Sequence, residues 1–400
     1  MYDVLEGIRV VEVAEWTFVP IAGSVLADWG ADVIKVEHRE GGDPQRGLLS
    51  MLAMDGAINP FMEVANRGKR SVGIDLNTEG GRETLYKLVA SADVFLTSLR
   101  TRARKKLGIE PEDLLKIKPD LIYGRGTGFG LQGPDANKGG YDEPVTWCRA
   151  GISARMTPPD GHPPAMPGSI GDINGGTQIA GAVAAALVKR LRTGKGSIVD
   201  NSLYSVGAWI MCQSIVGTYN GPAPGYRDRS QVGNPLVNQY RTKDNRWLSL
   251  CLIQADAWWQ DFCEHIGRED LIDDPRFNNM KVRNENGKAC MEELDKTFAE
   301  KTLDEWRAAM DTMVGVWSPL QTIDEVVKDE QALVNGIVTP VKMGDTSSYM
   351  AAASPAQFDE QLIGDLQGCP EPGQHTEEVL LELGMEWDEI ATLKEAEAIQ

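Results

Sequence analysis

The chain has 400 residues, 42% of them hydrophobic, and a formal net charge of −19. That length suits about two or three domains, while the acidic balance excludes a general affinity for nucleic acid or for an anionic membrane, both of which repel it. Residues 1–10 carry Asp3, Glu6 and Arg9 in place of an apolar signal core, and the longest apolar run, 179–188, is far short of the roughly 20 residues that span a bilayer. The six cysteines show no CxxC spacing, and the histidines at 38, 162, 265 and 375 form no HExxH motif. Reduced thiols, no metal site and a cytoplasmic location are therefore expected.

Residues 8–14 read as a buried strand, a small-residue helix follows Pro20 and closes at Gly30, and 32–37 is a second strand. Strand, helix, strand predicts an α/β protein with a parallel sheet covered on both faces. Glu37 stands where dinucleotide folds keep a ribose-binding acid, but the turn Glu15-Trp16-Thr17-Phe18-Val19-Pro20 lacks GxGxxG, so no NAD site is expected. Further strands are expected at 71–76 and 93–96, with a helix over 78–91 between them. Residues 100–106 then hold five cations, which form either a solvated helix face or a seat for a small polyanion. Strand 121–124 runs into Gly124-Arg125-Gly126-Thr127-Gly128-Phe129-Gly130. Its spacing is not that of a phosphate loop; the glycines instead let backbone approach a ligand or another chain. Gly139-Gly140-Tyr141-Asp142-Glu143-Pro144 opens a helix through Trp147.

The proline-stiffened stretch 163–176 delivers Asp172 to the mouth of a small-residue helix, 177–187. An aspartate there is either an N-cap, worth about 1 kcal/mol, or a working carboxylate. A strand at 197–200, a helix over 202–219 and a Gly/Pro-rich linker at 220–234 follow. A hairpin (239–242 with 246–250) and Trp-rich helices over 255–312 then read as a smaller α+β domain. From 355 to 400 there are twelve acids against one lysine, with Val379, Leu380, Leu383 and Trp387 at helical spacing. The expected organisation is a large domain over 1–222, a small one over 223–325, and a segment over 326–400 that packs back on the large domain.

Several stretches together resemble the family III CoA-transferases, the group containing formyl-CoA, carnitine and bile-acid CoA-transferases. They are Leu5-Glu6-Gly7-Ile8-Arg9-Val10, Gly30-Ala31-Asp32-Val33-Ile34-Lys35-Val36-Glu37, Gly42-Asp43-Pro44, Asn66-Arg67-Gly68-Lys69-Arg70-Ser71, Gly128-Phe129-Gly130 with Gly133-Pro134, Gly171-Asp172 with Gly175, Gly194-Lys195-Gly196 and Gln374-His375-Thr376-Glu377-Glu378-Val379. They fall in the family's order along essentially the whole chain.

The resemblance implies a Rossmann-like large domain, a smaller domain and an interlocked homodimer. It also implies transfer of CoA from an acyl-CoA to a carboxylic acid. Asp172 is placed as the nucleophile, with Tyr141, Gly171, Gly175 and Gly176 as its neighbours. For CoA itself the aligned residues are Trp16, Thr17, Phe18, His38, Arg39, Lys69, Arg70, Arg100, Arg104 and Lys106. The α-methylacyl-CoA racemases share this fold but carry histidine at the position of Tyr141. A phenol of pKa about 10 is a poor replacement in a two-base epimerisation. Epimerase and non-catalytic CoA-binding protein stand as the alternatives. Where the family has Glu-Asn-Phe-Arg-Pro-Gly this chain reads Thr97-Ser98-Leu99-Arg100-Thr101-Arg102, and no polyglycine loop is present, so oxalate or formate specificity is not implied.

Overall fold

The computed structural model describes every residue except Pro224, Val232 and Asp345; the expected linker at 220–234 thus lies partly outside the described residues. The chain divides into two compact units. The first comprises residues 1–154, 164–223 and 329–400; the second comprises 155–163 and 224–328. Residues 155–163, which the sequence placed with the large domain, group with the second unit.

The first unit is built on six strands: β1 (Arg9–Val13), β2 (Asp32–Glu37), β3 (Arg70–Gly73), β4 (Val94–Thr97), β5 (Ile122–Thr127) and β6 (Ser197–Ser202). All neighbours pair in parallel, in the order β3-β2-β1-β4-β5-β6. Successive strand side chains face opposite ways, so Val10 and Val11 enter different cores. On one face Val10, Val33 and Leu96 meet helix α1 (Phe18–Asp28) and the long helix Ile170–Thr193. On the other, Val11, Ile34 and Phe95 pack with Leu85, Leu88, Val379, Leu380 and Ile390, so the tail helices Thr376–Glu382 and Trp387–Glu395 belong to this core. The strand expected at 71–76 is Arg70–Gly73, and just beyond it Ile74 makes an isolated bridge to Ile399 of the returning tail.

α1 has every residue buried, and the long helix packs directly on it. The approach depends on glycine. A Cβ on Gly175 would lie 2.3 Å from Phe18 Cε2, and one on Gly176 would lie 2.5 Å from Ile21 Cβ. Any larger residue would push the helices apart, at a typical overpacking cost of about 1–3 kcal/mol.

In the second unit, β7 (Val237–Arg241), β8 (Trp247–Cys251) and β9 (Trp317–Pro319) form an antiparallel sheet. Its core gathers Tyr240, Leu248, Trp259, Phe262, Phe298 and Trp306. The first unit also holds a small sheet in which β10 (Val338–Met343) lies between β11 (Ser347–Ala352) and β12 (Leu366–Gln367). The helix expected over 202–219 breaks at Met211, whose ψ of 11° leaves the helical range, into Leu203–Ile210 and Cys212–Gly217.

Candidate active site

The strand order reverses between β1 and β4, and open α/β sheets bind ligands in the crevice beyond the carboxyl ends of such strands. A cleft of ≈ 810 Å³ occupies that position, lined by Glu15 and Trp16 after β1, Ser98 to Thr101 after β4, Gly126 to Phe129 at and just beyond the end of β5, and Tyr141 and Asp172. Ser98 ties the two strand ends together, accepting from the Glu15 N–H (2.9 Å) and donating to its carbonyl (3.1 Å). Trp16 is held at φ 66°, a region costly for a non-glycine residue, with its N–H donated to Asp43 Oδ1 at 3.2 Å. Its indole meets the Tyr141 ring edge to face, centroids 5.6 Å apart.

The long helix begins seven residues before its sequence-based start, so Asp172 is the third residue of its first turn and not the N-cap. Ser169 occupies the cap position without a side-chain bond. The cap comes from elsewhere: Asp142 Oδ2 accepts from the N–H groups of Gly171 (2.8 Å) and Asp172 (3.0 Å). Among the described residues, neither Asp172 oxygen accepts a hydrogen bond. Burial, then the charge of Asp142, push its carboxyl up to about 7. A helix N-terminus favours a carboxylate by about 0.3–1 kcal/mol; here the opposing effects outweigh it.

Gly171, Gly175 and Gly176 are buried. A Cβ on Gly171 would lie 2.1 Å from Asp142 Oδ1 and 2.2 Å from Thr146 Oγ1. The missing side chains of these glycines make room for protein atoms of Asp142, Thr146, Phe18 and Ile21. The glycines at the end of β5 and just beyond it behave alike: a Cβ on Gly126 would strike Val19 and Phe18, and Gly128 passes against Gly140.

Of the ten residues aligned with CoA contacts, Trp16, Phe18, Arg100 and Lys106 line the cleft with Asp172. His38 lines an adjoining slot that shares Glu15, Asn77, Leu99 and Leu107 with it. The other five contact protein groups away from the cleft lining. Thr17 is buried and accepts from Gln45 Nε2 at 3.0 Å. Arg39 pairs with Glu40 and Glu397. Lys69 is fully enclosed, its Nζ 2.8 Å from both Glu12 oxygens. Arg70 is bound by Asp32, Glu378 and Glu382. Arg104 is buried against Glu110. These five side chains are committed to protein partners and do not line the cleft. Glu37, at the ribose-acid position, is likewise committed: bonds from Arg46 and Ser71 and the nearby Lys35 charge outweigh burial and hold it down at about 2. The sequence reading missed Lys138, which lines the cleft, and Asp142. The adjacency of Asp142 to Tyr141 was the only available signal for the latter.

The first unit thus presents an unpaired carboxylate at the switch-point cleft of an open parallel α/β sheet. The description of CoA-transferase family III matches residues 5–376. The chain is 32% identical to the (R)-2-hydroxy-4-methylpentanoate CoA-transferase of Clostridioides difficile, over 99% of each. It is 29% identical to the cinnamoyl-CoA:phenyllactate CoA-transferase of Clostridium sporogenes, over 98% of this chain and 96% of that one. A crystal structure of a CAIB/BAIF family protein from Brucella suis superposes with a TM-score of 0.82 at 27% identity, covering 95% of this chain and 99% of the other. The chain belongs to CoA-transferase family III and is an enzyme of the CoA-transferase type. Among the described residues, no helix is long and apolar enough to cross a membrane, and no group of three or more His, Cys, Asp or Glu side chains is gathered to hold a metal ion.

Proposed function

We propose that the enzyme moves CoA from an acyl-CoA to a carboxylic acid with Asp172 as the covalent nucleophile. The observation that carries this reading is the bare Asp172 carboxylate opening on the cleft. An oxygen with no donor bound to it keeps its lone pairs for attack. Asp172 adds to the thioester carbonyl, the C–S bond breaks, and CoA thiolate leaves behind a mixed anhydride. The thiolate then attacks the aspartyl carbonyl, the C–O bond to the donor acyl group breaks, and the donor acid departs from an aspartyl-CoA thioester. An acceptor carboxylate attacks that thioester and expels the thiolate. Thiolate attack on the acceptor acyl carbon then forms the new acyl-CoA and returns Asp172. No proton or outside energy source enters the balance, because overall one acyl-CoA thioester is exchanged for another.

Arg100, Lys106 and Lys138 supply positive charge for the phosphates of CoA, and the His38 slot suits its nucleotide end. Trp16, Phe18, Phe129 and Tyr141 give the cleft an aromatic wall, which supports a branched or aromatic acyl group, in keeping with the names of the two relatives. Tyrosine at position 141 argues against epimerisation. Exposed apolar residues on the helices after β6, among them Trp209, Val216 and Tyr219 (70%, 74% and 93% exposed), support a homodimer in which this surface is covered. Light scattering on the purified protein tests that assembly; a monomer at micromolar concentration would refute it.

The decisive test of the chemistry is mass analysis of the Asp172 peptide after incubation with acyl-CoA. A CoA or acyl adduct is expected, absent from Asp172→Asn. Steady turnover with an unmodified peptide, or by the Asn variant, would sink the proposal.

A further inference from the structure

Two carboxylates converge on the first turn of the long helix, and they are treated differently. A helix start leaves its first N–H groups without intrahelical partners, and an acid three residues in is well placed to bond back to the cap residue. Asp172 does not do so. Its place as cap is taken by Asp142, thirty residues earlier in the chain, on the turn that also carries Tyr141. Asp142 is 6% exposed and receives both the Gly171 and the Asp172 N–H on Oδ2, while its Oδ1 has no partner. The missing Cβ of Gly171 is what admits it. Asp142 also begins the π-helical turn Glu143–Arg149, a rare geometry that recurs at functional sites.

We infer that Asp142 is a positioning residue for the transfer reaction: it caps the helix in place of Asp172, so that the Asp172 carboxylate stays free of hydrogen bonds, and it sets the local charge in which that carboxylate works. This deepens the proposed function and rests on Asp172 being the nucleophile. Two separate acids resolve a conflict that a single one could not, since a carboxylate that accepts backbone N–H groups is stabilised as an anion and attacks less readily. The nearby like charge acts the other way and raises the energy of the Asp172 anion. Other ionisable groups around the cleft are Glu15, Arg100, Lys106, Lys138 and Tyr141, with Glu143 next to Asp142. Of them all, Asp142 is the one whose charge acts appreciably on Asp172.

The test compares the parent with Asp142→Asn and Asp142→Glu, reading adduct formation at Asp172 and the pH profile of kcat/KM for acyl-CoA. Asn keeps an acceptor for the helix but removes the charge. Its acid limb is expected to move down by about one pH unit, with the rate of adduct formation reduced about 10-fold or more. Glu keeps the charge and is expected to hold the limb near the parental position even where its longer arm lowers the rate. A purely structural cap would lower the melting temperature of the Asn variant and leave its acid limb in place, and that result overturns the inference. Should Asp142→Asn not fold, Gly171→Ala, which drives a methyl into Asp142 Oδ1, must lower the adduct rate; parental kinetics in that variant refute the inference equally. A parent that turns over with no adduct at Asp172 removes the underlying reading as well, so the two failures are distinguishable.

Discussion

Two acidic regions lie within one unit of this protein, and their charges are handled in opposite ways. Beneath β1–β3, Glu12 meets Lys35 and Lys69, and Lys35 also meets Asp43, all four side chains completely enclosed. Glu37 joins them through Arg46. Every carboxylate there has a cation. At the mouth of the long helix the Asp172 carboxylate has, among the described residues, neither an ion-pair cation nor a hydrogen bond, and the charge that acts on it is another acid. The first arrangement holds Glu37 down at about 2, and the second lifts Asp172 to about 7. Burial is common to both, so partners decide the direction. The paired acids serve the fold; the unpaired one is available for chemistry.

The contrast is broken most directly at Asp172. Replacement by Asn is expected to reduce turnover on the order of 10³-fold or more, because the covalent route is lost; a CoA-exchange assay by mass reads this. On the paired side, Lys69→Met leaves Glu12 short of one cation, and breaking a buried pair costs about 3–5 kcal/mol. Urea unfolding of that variant should show the loss, whereas Asp172→Asn should show none.

The pH dependence of stability separates the two regions by sign. Asp172 binds its proton more tightly folded than unfolded, so the fold loses stability as pH climbs from about 4 to 7, and the penalty is complete above that. Asp172→Asn should therefore melt above the parent at pH 8, by about 1–2 kcal/mol after solvent screening, and match it near pH 4. Glu37 runs the other way: its depressed value stabilises the fold above the ordinary carboxylate range and is lost as pH falls toward 2. A parent-minus-Asn difference that did not grow between pH 4 and 8 would remove the distinction. The smallest effect is expected from cations at the cleft. Arg100→Ala should raise KM for acyl-CoA by about 2–10-fold with kcat little changed, an effect weakened by salt, while Arg39→Ala should leave KM alone.

Much of this was legible in the residues themselves. Strand period and small-residue helices locate β1, α1 and β2 closely, since side-chain alternation is a local property of the backbone. The run around Gly171-Asp172 singles out the acid, and the ordered motifs identify the family. Cap or working carboxylate was a fair question at residue 172, and local pattern had no means of answering it. Tertiary structure bears on the cap half of that question by bringing Asp142 to the helix start, where it accepts the N–H groups of Gly171 and Asp172. It also sorted the cations: Lys69 and Arg104 look like phosphate ligands in a basic stretch, yet the fold encloses them against Glu12 and Glu110 while Arg100 and Lys106 face the cleft. Composition and periodicity determine which segments form and which faces they bury, because those depend on neighbours within a few residues. Which charge is neutralised and which is left bare depends on partners carried by other elements, six positions away for Arg104 and Glu110 and 57 for Lys69 and Glu12, and only the folded chain brings them within reach.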